Sequence, residues 1–447
     1  MAIEMSLRPG PKGQAIIARD DKTMSGSMTP RYPFVMDHGL GARVWDVDGN
    51  EYIDFAAGIA VNSTGHCHPK VVEAITEQAK KFIHIAGTDY YYEVQVRLAE
   101  RLASLAPFEE GARVFLTNSG AEAVEGAIKV ARWYTGRPHI IAFFGAFHGR
   151  TMGALSLTAS KVVQRDGFFP LIPGVHHIPY NNPYHCMHGR EQSACEAHCI
   201  CASYLEDVVF KRLFPGDSVA AIILEPIQGE GGYLVPDSRF VQELREICNK
   251  YGIMLISDEV QAGMGRTGKW WAIEHHGVEP DIICSAKGIA SGMPLGAIIA
   301  RQHVMSWPPG AHGTTFGGNP ISCAAALVTI DLIEQGYMAN AAEQGAYIME
   351  ALEEMRTHHP SLKYGRIQGK GLMVGAELVL DEQRTPATAL RNHVERAAIN
   401  NGLLILGCGT STLRFCPPLM IERELVQEGL ERFERSLTEA EQEAGLL

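Results

Sequence analysis

A chain of 447 residues that is 46% apolar and 20% charged, with 46 Gly and 23 Pro, has the composition of an ordinary globular protein about three domain lengths long. Its 39 Lys plus Arg against 51 Asp plus Glu leave a formal net charge of −12, the wrong sign for a non-specific nucleic-acid binder but no obstacle to a local basic pocket for a small anion. No apolar run approaches the ~18 residues of a membrane span, Met1 to Gly10 lacks the apolar core of a signal peptide, and ten Cys make no disulfide scaffold. A reduced, cytoplasmic protein with neither nucleic acid nor membrane as partner is therefore expected.

In chain order, residues 1–40 are rich in Gly, Pro and Met and read as an irregular arm. Residues 43–55 alternate apolar side chains about a turn at Asp48-Gly49-Asn50, the pattern of a hairpin, and 1–67 is assigned with that hairpin to part of a smaller domain. From 68 to 320, short apolar runs alternate with helical patterns. Strands are predicted at 114–117, 139–144, 219–225, 253–258, 281–285 and 295–300, with helices at 121–134 and 239–251. This is an α/β pattern: a large domain built on a mainly parallel, doubly wound sheet, which binds ligands at the C-terminal ends of its strands. From 321 to 447, helical runs at 320–335, 341–358, 386–401 and 423–444 flank short strands near 371–379 and 403–416, which reads as the smaller α+β domain.

Two motifs invite the wrong chemistry. Gly263-Met264-Gly265-Arg266-Thr267-Gly268-Lys269 is a literal G-x-G-x-x-G and nearly a P-loop. The P-loop needs Ser or Thr where Trp270 stands, and Glu259-Val260-Gln261-Ala262 separates the glycines from their strand, so a plain glycine-rich turn is expected. His185, Cys186, His188, Cys195, His198, Cys199 and Cys201 are dense in soft ligands but lack paired C-x-x-C knuckles. They read as a surface excursion with free or occasionally oxidised thiols, and no metal is assigned.

Chemistry concentrates elsewhere. Lys287 stands among small residues just past a buried-type strand. It reads either as a snorkelling surface Lys or as an amine that condenses with an aldehyde. Asp258 closes an apolar strand 29 residues earlier; there it can cap a helix or keep a pyridine nitrogen protonated, which makes the ring an electron sink. Gln261 is placed to donate to a phenolic oxygen. Asn118-Ser119-Gly120-Ala121 joins a strand to a helix, where free amides and the helix dipole favour an anion; Thr314 and Thr315 offer further hydroxyls.

Taken together, Asn118-Ser119-Gly120-Ala121-Glu122-Ala123, Phe147-His148-Gly149-Arg150, Glu225-Pro226-Ile227-Gln228-Gly229-Glu230, Asp258-Glu259-Val260-Gln261, Lys287 and Thr314-Thr315-Phe316-Gly317-Gly318-Asn319-Pro320 resemble, in order, the motifs of the class III pyridoxal-phosphate aminotransferases. The resemblance spans about 32 to 434 and is most like the 4-aminobutyrate branch. It implies fold type I, pyridoxal 5′-phosphate (PLP) as cofactor, and a homodimer or dimer of dimers with active sites at the interface. It further implies that Lys287 is the Schiff-base Lys and proton shuttle and that Asp258 partners the pyridine nitrogen. Phe147 and Val260 would cover the two ring faces, Ser119, Gly120, Ala121 and Thr314 would line the phosphate cradle, and Thr315 would be a phosphate ligand lent by the second subunit. His148, Glu225 and Gln261 are counted with the cofactor site.

For the substrates, an amino donor and a 2-oxo acid, the resemblance points to Arg414, in the apolar run Leu413-Arg414-Phe415-Cys416, for an α-carboxylate and to Arg150 for the other carboxylate. Ile59 stands where ornithine enzymes carry an aromatic hydroxyl. Glu230 resembles a switch residue that answers the Arg414 charge when an ω-amino donor brings no carboxylate there. Transfer from an ω-amino acid to 2-oxoglutarate, giving glutamate, is the favoured reading. Amino-acid racemases of the same branch, which share the cofactor and the Lys, and ornithine- or acetylornithine-type aminotransferases are the alternatives.

Overall fold

The computed structural model describes residues 8–27 and 32–447, so the parts of the expected arm at 1–7 and 28–31 lie outside the described residues. The chain divides into two compact units, Met1–His68 with Ala339–Leu447, and Pro69–Met338.

The first unit opens on strands β1 (Met36–Leu40), β2 (Arg43–Asp46) and β3 (Glu51–Asp54), with β2 and β3 forming the expected hairpin. Its turn is pinned by the buried Asp46 carboxylate, which accepts from the Asp48 and Asn50 amides at 3.0 and 2.8 Å and from the Tyr52 hydroxyl at 2.8 Å. The arm ahead of it is not irregular throughout: Pro11–Thr23 is a helix and Met36–Leu40 a strand. The helix buries only Gly13, so its sequence shows no apolar stripe. Instead the distant Asp48 carboxylate accepts the Lys12 and Gly13 amides, both at 2.9 Å, satisfying a helix start from outside its own segment.

The second unit carries β4 (Ala112–Thr117), β5 (His139–Phe143), β6 (Val175–Ile178), β7 (Val219–Leu224), β8 (Met254–Asp258), β9 (Ile282–Ser285) and β10 (Gly296–Arg301) in one seven-stranded sheet of order β4-β10-β9-β8-β7-β5-β6. Pairing is parallel from β9 through β8, β7 and β5 to β6, and only β10 runs against its neighbours. Because β10 is antiparallel to both β9 and β4, the C-terminal ends of β4, β5, β7, β8 and β9 all lie along one edge. Every residue of β7 is buried, as a strand covered on both faces must be, which is why it reads as an unbroken apolar run. The helix Gly120–Thr135 packs Ala123, Val124, Ala127 and Ala131 onto this sheet. It approaches so closely that a Cβ at Gly126 would stand 2.1 Å from Ile298. Strand β6 was not expected; at four residues, with His176 and His177 in its middle, it lacks the apolar run that marks its neighbours.

Strands β11 (Ile367–Lys370), β12 (Met373–Glu377), β13 (Leu403–Leu404), β14 (Leu406–Cys408) and β15 (Thr412–Phe415) return to the first unit. β13 adds in parallel to β3, and β11-β12-β15-β14 form a separate antiparallel sheet. Helices Met338–Met355, Thr388–Asn400 and Arg423–Glu443 complete this α+β unit. The boundary expected at 320 falls instead after Met338. The helix Pro320–Leu332 is apolar all round and packs with Val71 of the helix Pro69–Lys81, so it joins the larger unit.

The glycine-rich stretch at 263–269 is a run of turns that opens no helix; the Met264 amide donates to Trp270 O at 2.7 Å. The Cys/His excursion is more ordered than expected. It contains the helix Gln192–Ala197, and Cys195, Cys199 and Cys201 are buried, all as free thiols. Among the described residues, no helix is long and apolar enough to cross a membrane.

Candidate active site

The expected residues of the second unit stand where its strands end. β8 delivers Asp258, paired in register with Cys284 of β9, and Lys287 follows three residues later, so the acid and the amine emerge from neighbouring parallel strands. β5 leads into Phe147 and His148, β7 into Glu225, and β4 into Asn118 and Ser119. The start of the helix Gly120–Thr135 lies against the β8 end: a Cβ at Gly120 would stand 2.7 Å from Val260, and one at Gly149 would stand 2.9 Å from Ala121. Both positions require the absence of a side chain.

Asp258, 4% exposed, holds His148 Nδ1 at 2.6 Å through Oδ2, while Oδ1 accepts the Val260 amide at 3.1 Å. His148 Nε2 is buried and has no hydrogen-bond partner among the described residues. The acid at the strand end is thus oriented from behind by an imidazole. Glu225 spans two loops, accepting the Phe147 amide and the Gly229 amide, each at 2.8 Å. Burial pushes its carboxyl up to about 7, with the His148 charge and these two amides opposing the rise. It holds the segments that carry Phe147 and Glu230. Gln261 is 9% exposed, and its Oε1 is buried without a hydrogen-bond partner among the described residues.

Lys287 has φ +46°, a left-handed backbone that a non-glycine residue adopts only under constraint, and such strain gathers at functional sites. Ser119 caps the helix start, its hydroxyl accepting the Glu122 amide at 3.2 Å. Asn118 Nδ2 donates to Glu122 at 2.9 Å and to Thr314 Oγ1 at 3.0 Å, tying the cradle to the Thr314 loop. Thr315, next along, is exposed.

Arg150 is exposed, its guanidinium 5.5 Å from the centroid of the Phe147 ring. Glu230 Oε2 pairs with Lys161 Nζ at 3.3 Å. Ile59 and Arg414 belong to the other unit. Ile59 is 40% exposed and sits in a left-handed turn with φ +67°, flanked by Ala57, Gly58 and Ala60, all at positive φ. Arg414, 4% exposed, lies in β15 between β12 and β14, where its charge lowers the proton affinity of Tyr32. Burial and the hydrogen bond to Glu395 act the other way and leave that phenol well above its usual range.

One pairing and two residue roles escaped the sequence reading. The pairing of His148 with Asp258 bridges 110 positions, so no local pattern carries it. Lys161, the partner of Glu230, was given no role. Glu259 is fully used by the Ser257 hydroxyl and the Ala272 and Ile273 amides at 3.0, 2.8 and 2.9 Å, and burial pushes it up to about 7; its neighbour Asp258 had drawn the attention.

These residues suit a phosphorylated pyridine aldehyde. They supply a capped helix start free of side-chain bulk, an oriented carboxylate, a constrained amine, and a buried amide with an unused oxygen. The family model for class III aminotransferases matches residues 25–437. The chain is 40% identical over 435 residues to an alanine/serine racemase of Pyrococcus horikoshii, covering 96% of this chain and 91% of that one. It is 39% identical over 430 residues to a 4-aminobutyrate aminotransferase of Mycobacterium bovis, covering 95% of each. An acetylornithine aminotransferase of Caldanaerobacter subterraneus is 41% identical over 416 residues, covering 92% and 96%. Among solved structures, the ornithine aminotransferase of Toxoplasma gondii superposes with a TM-score of 0.82 at 31% identity, covering 96% of this chain and 95% of that one. The ω-transaminase of Pseudomonas jessenii, solved with PMP, superposes at 0.88 and 27% identity, covering 96% and 99%.

Proposed function

The chain belongs to the class III aminotransferases, which are PLP-dependent enzymes of fold type I, and we propose that within this family it moves the amino group of an ω-amino acid of the 4-aminobutyrate kind to 2-oxoglutarate, giving glutamate. PLP supplies the electron sink when bound. Asp258 holds the proton on its pyridine nitrogen, and His148 fixes that carboxylate in place. Lys287 anchors the cofactor and carries the proton away from the donor carbon and back. Phe147 and Val260 confine the ring, and Gln261 meets its phenolic oxygen. Ser119, Gly120, Ala121 and Thr314 line the phosphate cradle, to which Thr315 of a second copy adds its hydroxyl. Arg150 and Arg414 receive the substrate carboxylates.

The observation that carries the donor class is Glu230. Its carboxylate lies in Gln228-Gly229-Glu230-Gly231-Gly232 and pairs with the half-exposed Lys161 at 3.3 Å, a long and easily exchanged ion pair. A carboxylate that can change partners suits an enzyme whose two amino substrates differ by one carboxylate. The aliphatic Ile59 agrees with this. The test is a donor panel of 4-aminobutyrate, ornithine, N-acetylornithine, alanine and serine with 2-oxoglutarate, scored for glutamate and for inverted donor. Glutamate from the ω-donors supports the proposal. Inversion of alanine or serine without glutamate establishes the second reading, a racemase, which the 40% identity over 96% of the chain favours. Glu230→Ala sharpens the outcome: kcat/KM for glutamate should improve relative to 4-aminobutyrate, and an unmoved ratio removes the switching role.

A further inference from the structure

In the first unit, three ligand atoms from His358, His359 and Glu434 lie within 4.8 Å of one another. Glu434, on the helix Arg423–Glu443, places Oε1 2.7 Å from His358 Nε2 and 3.6 Å from His359 Nε2. Behind the ring of His359, Nδ1 donates to Glu441 Oε2 at 2.6 Å, and Glu441 Oε1 accepts the Ser361 amide and hydroxyl at 3.0 and 2.6 Å. Both His359 and Glu441 are buried, at 3% and 0% exposure.

The hydrogen bonds settle where the lone pairs point. Glu441 has only acceptor oxygens for His359, so Nδ1 carries the hydrogen, and in the neutral ring Nε2 presents a lone pair. That Nε2 is buried and has no hydrogen-bond partner among the described residues. At His358, Nε2 donates to Glu434 Oε1 at 2.7 Å, and Nδ1 lies 3.1 Å from Thr357 Oγ1, so a cation that displaced the Nε2 hydrogen would find a lone pair there. Two imidazole nitrogens and a carboxylate oxygen therefore converge, with a second carboxylate behind His359. A cation among them would take the place of the His358 hydrogen and accept the His359 Nε2 lone pair as well.

We propose that His358, His359 and Glu434 form a binding site for a divalent transition cation of the Zn²⁺ class, with Glu441 orienting His359. Ligands at the ~2.0–2.2 Å bond lengths of zinc, set tetrahedrally, stand about 3.3–3.5 Å apart. The 2.7 and 3.6 Å separations from Glu434 Oε1 to the two imidazole nitrogens lie on either side of that spacing, and all three atoms lie within 4.8 Å of one another. A carboxylate on the far nitrogen of a ligating His is the usual support of such sites, fixing the tautomer and raising ligand basicity. His358 and Glu434 are half-exposed, which leaves the fourth position to water and gives the ion a way in. Within this unit, the ion would tie the segment following the helix Met338–Met355 to the helix Arg423–Glu443.

The test uses the untagged, cofactor-loaded enzyme after chelation and dialysis, titrated calorimetrically with Zn²⁺ alone. The expected result is one equivalent per chain and a higher melting temperature with metal. His358→Ala and Glu434→Gln, both at half-exposed positions, should each weaken binding at least ~10-fold while the visible absorption of the cofactor, which reports an intact fold, stays unchanged. No stoichiometric binding overturns the proposal. So does binding of equal strength in wild type and both variants, which would place the ion elsewhere, for instance on the thiols at 186–201.

Discussion

The protein contains the same device twice. In the larger unit Asp258 holds His148 Nδ1 at 2.6 Å, and in the smaller one Glu441 holds His359 Nδ1 at 2.6 Å; in each the ring is buried and its Nε2 lacks a hydrogen-bond partner among the described residues. The direction of service differs. Asp258 ends a parallel strand at the ligand edge of the sheet, so there the carboxylate is the working group and the imidazole its support. Glu441 is filled by Ser361 and faces nothing else, so there the carboxylate is the support and the imidazole the working group. A carboxylate–histidine pair acquires its role from which member the surrounding elements leave facing outward.

The largest expected effect belongs to the first pair's neighbour. Lys287→Ala should lower kcat by on the order of 10⁴-fold or more and abolish borohydride-fixable cofactor. Wild-type turnover in that variant would end the assignment of the amine, and with it the reason for calling Asp258 the working member.

Next, Asp258→Asn should cost ~10²–10⁴-fold in the amine-transfer half-reaction, and His148→Gln only ~10–100-fold, because it acts through Asp258. Stopped-flow absorbance of the half-reaction reads both. A His148 loss as large as that of Asp258 would make the two residues equals and break the comparison.

Glu441→Gln tests the second pair through stability, with an expected cost of about 1–3 kcal/mol and unchanged kcat. The pH dependence follows from the two shifts. His359 is raised from 6.5, so its contribution is present below 6.5 and fades as pH rises through the folded value. Glu441 is lowered from 4.5 by its bonds to His359 and Ser361, which outweigh its burial, so its contribution is present above 4.5 and is lost as pH falls. The stability difference between wild type and variant should therefore be greatest between 4.5 and 6.5 and shrink on either side. Urea melts across that range measure it, and a constant difference would show that the pair does not titrate as a unit.

The smallest effect is expected at Lys161→Met. Removing Lys161 takes one ion-pair partner from Glu230 and loosens its hold, and kcat/KM for 4-aminobutyrate relative to glutamate should rise by up to about tenfold, opposite in sign to Glu230→Ala. A shift of the same sign in both variants would show that the Lys161–Glu230 pair acts as a single structural unit.

How much was legible in the sequence follows from range. The strands β7, β8 and β9 are apolar runs because both faces of a parallel sheet are covered, so six of the seven strands of the large sheet, with the helices Gly120–Thr135 and Ser238–Tyr251, could be placed within a few residues, while the helices Pro69–Lys81 and Glu93–Leu105 were not read. The six ordered motifs, and the resemblance they carry, are also local strings. What only the tertiary structure decided was every fact that joins distant segments: Asp48 capping the helix Pro11–Thr23, the helix Pro320–Leu332 joining the larger unit, Asp258 meeting His148, and His358, His359 and Glu434 converging. Periodicity records which face of a segment is buried, whereas a hydrogen bond between residues 110 positions apart depends on where two chain segments stop, and no window of sequence holds both ends.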